Sequence, residues 1–283
     1  MTFVLLCPRD GEDVLAAEYA DFLHFTGLQP EELEQRALRT ADAPLGEFAH
    51  VEGVFIGGSP FTISTPEAYG EWQDVVSRRL TDFVVDYGVR GDLPMFLACY
   101  GSSMLAHYLD GKVTADHAEE PGLSEVVLTE AGLTDPLTQD LPGVFYGMTG
   151  HKDSVEVLPT GATLLADGRS CPAQLFRFGE HVWASQFHPE MDDAAIRTRL
   201  SFYENAGYCD PDQLAETYAR LHGHDTSHAN SLLRRFVEYC RNRSRADVGT
   251  PGSQADVGTP GSQADVGTPG SRADVDTPAQ AHT

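Results

Sequence analysis

Basic side chains, paired cysteines and long apolar stretches are all scarce in this sequence of 283 residues. Lysine and arginine total 19 against 43 aspartates and glutamates, a formal charge of -24. Such a chain repels phosphate backbones and anionic lipid, so neither a nucleic acid nor a membrane surface is expected as a partner. Lysine occurs only at Lys112 and Lys152. No run of roughly eighteen apolar residues is present, and the opening "MTFVLLCPRDGED" has neither the basic n-region nor the long apolar h-region of a signal peptide. These two absences point to a cytoplasmic protein with no membrane span. The five cysteines, Cys7, Cys99, Cys171, Cys209 and Cys240, contain no CxxC pair. That argues against a disulfide framework and a zinc knuckle, and leaves reduced thiols with no metal as the expected state.

From about Arg245 a nine-residue unit repeats, as in "ADVGTPGSQADVGTPGSQ", with valine as its only larger apolar residue. Too little apolar surface is available there to offset chain entropy, so residues 244–283 read as a disordered tail behind a domain spanning 1–243. Within that domain, short apolar runs have strand length and composition: "FVLLC" (3–7), "VEGVFIGG" (51–58), "PMFLAC" (94–99), "EVVLT" (125–129), "AQLFRF" (173–178) and "HVWASQF" (181–187). Between them, Trp72, Val75, Val76, Leu80, Phe83, Val84 and Tyr87 recur at helical spacing behind Pro66, and residues 12–26 repeat the pattern. The alternation predicts an α/β fold, a mostly parallel sheet with helices on both faces, whose ligands sit at the carboxyl ends of strands. Two further helices are expected over about 210–243. The first is N-capped by Asp210 with Pro211 behind it, and the second buries Leu232, Leu233, Phe236, Val237 and Cys240. Cys209 and Cys240 then read as structural.

Three strand ends invite chemistry. In "IGGSP" (56–60) paired glycines let backbone N–H groups approach a developing negative charge, although a plain glycine turn has the same look. Cys99 either continues an apolar strand or stands at a sharp strand-to-helix elbow. In the elbow, helix N-terminal N–H groups favour thiolate, and the Tyr100 N–H faces an oxyanion. In "WASQFHPEM" (183–191), His188 followed by Glu190 can supply a base and its orienting acceptor, although most of the eleven histidines must be ordinary polar residues.

With "GGSP", "ACYGSS" and "HPE" in this order and at these positions, the sequence resembles the class I, triad-type glutamine amidotransferases, well over residues 50–205 and loosely over the first strand and helix. "GMTGHKDSVEVLP" (147–159) resembles the segment bordering the glutamine pocket in members related to GMP synthetase. The resemblance implies a flavodoxin-like amidotransferase fold and a nucleophilic Cys99, with His188 as base and Glu190 as its orienter. It also implies an oxyanion hole from Gly58 and Tyr100 and a substrate pocket bordered by Gly57, Ser103, His151 and Asp153. The reaction so implied releases ammonia from glutamine through a γ-glutamyl thioester and needs no cofactor. Two positions depart from the family pattern: Ala98 replaces a glycine, and Ser103 replaces a glutamine that helps hold the amino-acid end of the substrate. No G-x-x-x-x-G-K-[ST] phosphate loop or SGGxDS-like loop occurs, so ATP-dependent use of ammonia calls for a separate synthetase subunit. The alternatives are a stand-alone γ-glutamyl amide or peptide hydrolase and, against the intact Cys-His-Glu set, a silent regulatory or binding domain.

Overall fold

The computed structural model describes residues 2–203 and 214–249. Cys209, the Asp210–Pro211 helix start and the repeat from residue 250 onward lie outside the described residues. The compact unit considered below is Met1–Val248.

The chain runs β1 (Thr2–Cys7), α1 (Glu12–Thr26), β2 (Leu33–Ala37), β3 (Val51–Ile56), α2 (Gly70–Phe83), β4 (Met95–Ala98), α3 (Tyr100–Tyr108), β5 (Lys112–Thr114) and β6 (Glu119–Leu128). It continues through β7 (Val144–His151), β8 (Ser154–Val157), β9 (Ala162–Asp167), β10 (Leu175–Phe178), β11 (Val182–Ser185), α4 (Asp193–Ser201), α5 (Leu214–Leu221) and α6 (Ser227–Gly249). Nine strands form one sheet in the order β2-β1-β3-β4-β11-β10-β9-β6-β7, while β5 and β8 pair separately. From β2 to β11 the neighbours are parallel; from β11 outward to β7 they are antiparallel.

In the parallel half, β1, β4, β11 and the end of β3 from Val54 are apolar at nearly every residue because both of their faces are covered. In β1, Phe3, Leu5 and Cys7 point into a core shared with Leu15 and Phe22 of α1 and Leu232, Leu233 and Phe236 of α6. The alternate residues Val4 and Leu6 point into a second core with Val76 and Leu80 of α2 and Met104 and Leu105 of α3. Aromatic rings tie the first core together: Phe55 lies 5.3 Å from Phe22 and 5.0 Å from Phe236, ring centre to ring centre. This three-layer packing lines up the carboxyl ends of β1, β3, β4 and β11 on one rim. No helix among the described residues is long and apolar enough to cross a membrane.

Candidate active site

At that rim β4 stops on Ala98, and Cys99 takes φ 48°, ψ -93°, the only positive φ of a non-glycine residue among the described residues. A side chain in that region is strained, on the order of 1 to 3 kcal/mol, and the strain persists only where the surroundings enforce it. Here they do. The Cys99 N–H donates to Ser185 O of β11 at 2.7 Å, and the Cys99 carbonyl accepts from Ser102 N–H at 3.0 Å and from Ser102 Oγ at 2.7 Å. Helix α3 begins at the next residue, so Sγ sits against the first turn, where N–H groups lack intrahelical acceptors. The Gln186 amide nitrogen donates toward Sγ at 3.9 Å.

Strand β11 ends at Ser185, two residues short of Phe187, where the sequence reading ends it. The extended chain is instead held by a single bridge to β7, with His188 N–H donating to Met148 O at 2.8 Å. On one side His188 borders the same cavity as Cys99. On the other, its Nδ1 meets Glu190 Oε1 at 2.7 Å, and Glu190 is fully buried. Burial alone would strip the imidazolium of its proton, but the Glu190 carboxylate and the Cys99 sulfur outweigh it and hold the His188 pKa at about 10. Burial likewise works against the Glu190 carboxylate, and the His188 imidazolium prevails, leaving that carboxyl below its usual value. Cys99, His188 and Glu190 thus stand side by side, an arrangement of thiol, imidazole and carboxylate that can carry acyl transfer.

The glycine pair after β3 is squeezed from two sides. A Cβ on Gly57 would stand 2.6 Å from Glu18 Oε1, and a Cβ on Gly58 would stand 2.9 Å from His188 Cε1, so neither position has room for a side chain. The Gly58 carbonyl accepts from Arg9 Nε at 3.1 Å and also from Arg9 Nη2, which fixes the loop's peptide plane. Beneath it lies a buried charge cluster that the sequence reading does not include. Arg9 meets Glu18 at 3.1 Å, Arg199 meets Glu18 at 3.5 Å and Arg199 meets Asp21 at 3.0 Å. Burial pushes the Asp21 carboxyl up to about 7 despite the opposing Arg199. The sequence signals were present: Arg9 follows the end of β1, and Glu18 stands between Leu15 and Phe22 on the buried face of α1.

Two cavities meet at Cys99. The more polar one, with about 310 Å³ of empty space including its opening, is lined by Thr62, Tyr100, Ser103, His151, Asp153 and Gln186 among others. Ser103 is buried and faces this space. His151 and Asp153 are wall rather than free ligands. His151 Nδ1 meets Asp153 O and Nε2 meets Glu119 Oε2, each at 2.8 Å. The Asp153 carboxylate accepts from the backbone N–H groups of Ile63 and Ser64, tying down the loop after "GGSP". The other cavity, about 490 Å³ by the same measure, holds His188 and is lined largely by apolar side chains.

These surroundings give a first expected outcome. Cys7, Cys171 and Cys240 are buried. Burial raises the thiol of each, Cys171 to about 11 and the other two well above their usual value. Only Cys99 of the four opens onto both cavities. Under limiting iodoacetamide, peptide mapping should find Cys99 carboxymethylated ahead of these three. Earlier labelling of Cys7 or Cys171 would contradict the assignment of Cys99 as the reactive thiol.

With the geometry in place, comparison with known proteins agrees with it. The family described as "Glutamine amidotransferase class-I" matches residues 37–204. A GMP synthase (glutamine-hydrolyzing) of Neisseria meningitidis serogroup C is 28% identical over 158 residues, which cover 54% of this chain and 27% of that protein. The Porphyromonas gingivalis GMP synthase is 29% identical over 158 residues, covering 54% of this chain and 28% of that one. The chain thus matches only about a quarter of the length of these curated relatives. A glutamine amidotransferase from Thermotoga maritima superposes with a TM-score of 0.62 at 20% identity, covering 84% of this chain and 97% of that one. A glutamine amidotransferase from Methylobacillus flagellatus gives 0.57 at 18% identity, covering 84% and 95%. These two likenesses establish the fold.

Proposed function

The chain belongs to the class I glutamine amidotransferase family, and on that premise we propose that it hydrolyses the γ-carboxamide of glutamine through a thioester on Cys99. One observation carries the reading: a cysteine strained onto a strand-to-helix elbow, sharing a cavity with an imidazole that a buried glutamate holds from behind.

In the proposed reaction the Cys99 sulfur attacks the γ-carbonyl, and the Gly58 and Tyr100 N–H groups stabilise the oxyanion that forms. Losing one such donor typically costs about 10² to 10³ in rate. Arg9 holds the Gly58 carbonyl and so presets the loop before charge develops. The His188 imidazolium gives its proton to the departing nitrogen as the C–N bond breaks. Acylation also ties up the sulfur, removing one of the groups that hold the proton on His188. The now neutral ring can take a proton from water, and that water cleaves the C–S bond. The polar cavity beside Ser103, His151 and Asp153 would receive the amino-acid end of glutamine, while Gly57 stands outside its lining, against Glu18. Use of the ammonia by a separate synthetase subunit is part of the proposal, since the GMP synthase relatives extend well beyond the matched region. The test is release of glutamate and ammonia from glutamine by the isolated chain, and its loss in Cys99→Ala.

Ser103 adds a quantitative expectation. Serine is shorter than glutamine and lacks the amide, and a missing polar contact in a specific site weakens binding by roughly 1 to 3 kcal/mol. Because Ser103 faces the cavity, Ser103→Gln should lower KM for glutamine about tenfold with little change in kcat. A raised KM would mean that another residue has taken over the contact.

A further inference from the structure

The two cavities flanking Cys99 differ in character, and the difference bears on what leaves the enzyme. Ser59, Cys99 and Gly150 line both, so the cavities join at the sulfur. Tyr100 and Ser103 line only the polar cavity, whereas His188 lines only the other. A group that protonates the leaving nitrogen must stand beside it, so that nitrogen and whatever it bears lie on the His188 side. The walls there include Pro60, Pro121, Met191, Ile196 and Leu200. The two guanidiniums that border this space, Arg9 and Arg199, are already in ion pairs with Glu18 and Asp21, so the walls offer apolar surface with the nearby charge matched. Ammonia as leaving group has no use for such walls; an alkyl or aryl substituent does.

Resting on the thioester reading above, we infer that the preferred substrates are γ-glutamyl amides whose nitrogen carries an apolar substituent, and that Met191, Ile196 and Leu200 select it. The chemistry is unchanged and balanced. Cys99 sulfur bonds to the γ-carbonyl carbon, the C–N bond breaks, and His188 donates the proton that makes the free amine. Water then cleaves the C–S bond, giving glutamate and restoring the thiol.

The test compares glutamine, γ-glutamyl methylamide and γ-glutamyl n-butylamide on the wild-type chain. The two alkylamines are of nearly equal basicity, so the methylamide-to-butylamide step reads binding rather than leaving-group reactivity. Burying a methylene is worth roughly fourfold, so kcat/KM for the butylamide should exceed that for the methylamide by at least about tenfold. Ile196→Asn, checked by circular dichroism, should bring that ratio toward one. Should this variant fail to fold, the wild-type series decides alone. Glutamine and methylamide cleaved as well as the butylamide, or better, would overturn the inference while leaving the thioester reading intact. Cleavage of none of the three would overturn both.

Discussion

His188→Ala is expected to lower kcat/KM for amide hydrolysis by about 10³-fold or more, because it removes both the proton given to the leaving nitrogen and the base that activates water. Glu190→Gln should lose less, since an acceptor for Nδ1 remains although the buried negative charge does not. The protonation state gives the loss a pH signature. With His188 held at about 10, the imidazolium persists through neutral pH, so the acylation rate should hold there and fall as pH rises toward 10. His151 is the competing histidine, and its two ring nitrogens are already taken up by Asp153 O and Glu119. Stopped-flow turnover on the three variants Glu190→Gln, His188→Ala and His151→Ala decides the matter. A His151→Ala enzyme that loses the chemical step while His188→Ala keeps it would mean the triad is misassigned.

The largest stability effect is expected from Glu18→Ala. Glu18 is fully buried and faces Arg9 at 3.1 Å and Arg199 at 3.5 Å. Its removal leaves two buried guanidiniums to be offset by Asp21, itself pushed up to about 7 by burial, and by Glu190, which His188 already engages. Breaking a buried pair in this way costs about 3 to 5 kcal/mol, a drop in Tm on the order of 10 °C for a domain of this size. Activity should fall beyond what unfolding explains, because Arg9 also holds the Gly58 carbonyl in place. Chemical denaturation at pH 7 measures the first effect, and kcat well below the melting transition the second. A change under about 1 kcal/mol would show the cluster to be dispensable.

The parts that could be read from the sequence are those whose signal is local. The apolar runs of β1, β3, β4 and β11 announce strands covered on both faces, and α1 spans the residues its spacing marks, Glu12–Thr26. Gly57–Gly58 after β3, Cys99 after β4 and the His188–Glu190 pair beyond β11 could be found because each is a residue type unusual at that point. What escaped lacks a local signature. The edge strand β2, "LEQRA", is mostly polar because one side faces no partner strand. In β7 exposed and buried residues alternate only over Val144–Gly147, and β9 buries the adjacent Leu165 and Ala166, so neither strand shows a clear period of two. The Arg9–Glu18–Arg199 cluster joins residues nearly two hundred positions apart, and only the folded sheet brings them under the Gly57–Gly58 loop. The positive φ at Cys99 is likewise set by Ser185 and Ser102, not by the composition of "ACYGSS".

The central claim is that Cys99 carries the acyl group. Acid-quenching the wild-type chain within milliseconds of mixing with glutamine or a γ-glutamyl amide, then measuring intact mass and mapping peptides, tests it most directly. The account predicts one γ-glutamyl group on the peptide containing Cys99, sensitive to hydroxylamine as a thioester must be, and absent from Cys99→Ser. Product formation with no adduct under any quench, or an adduct on another cysteine, would contradict it.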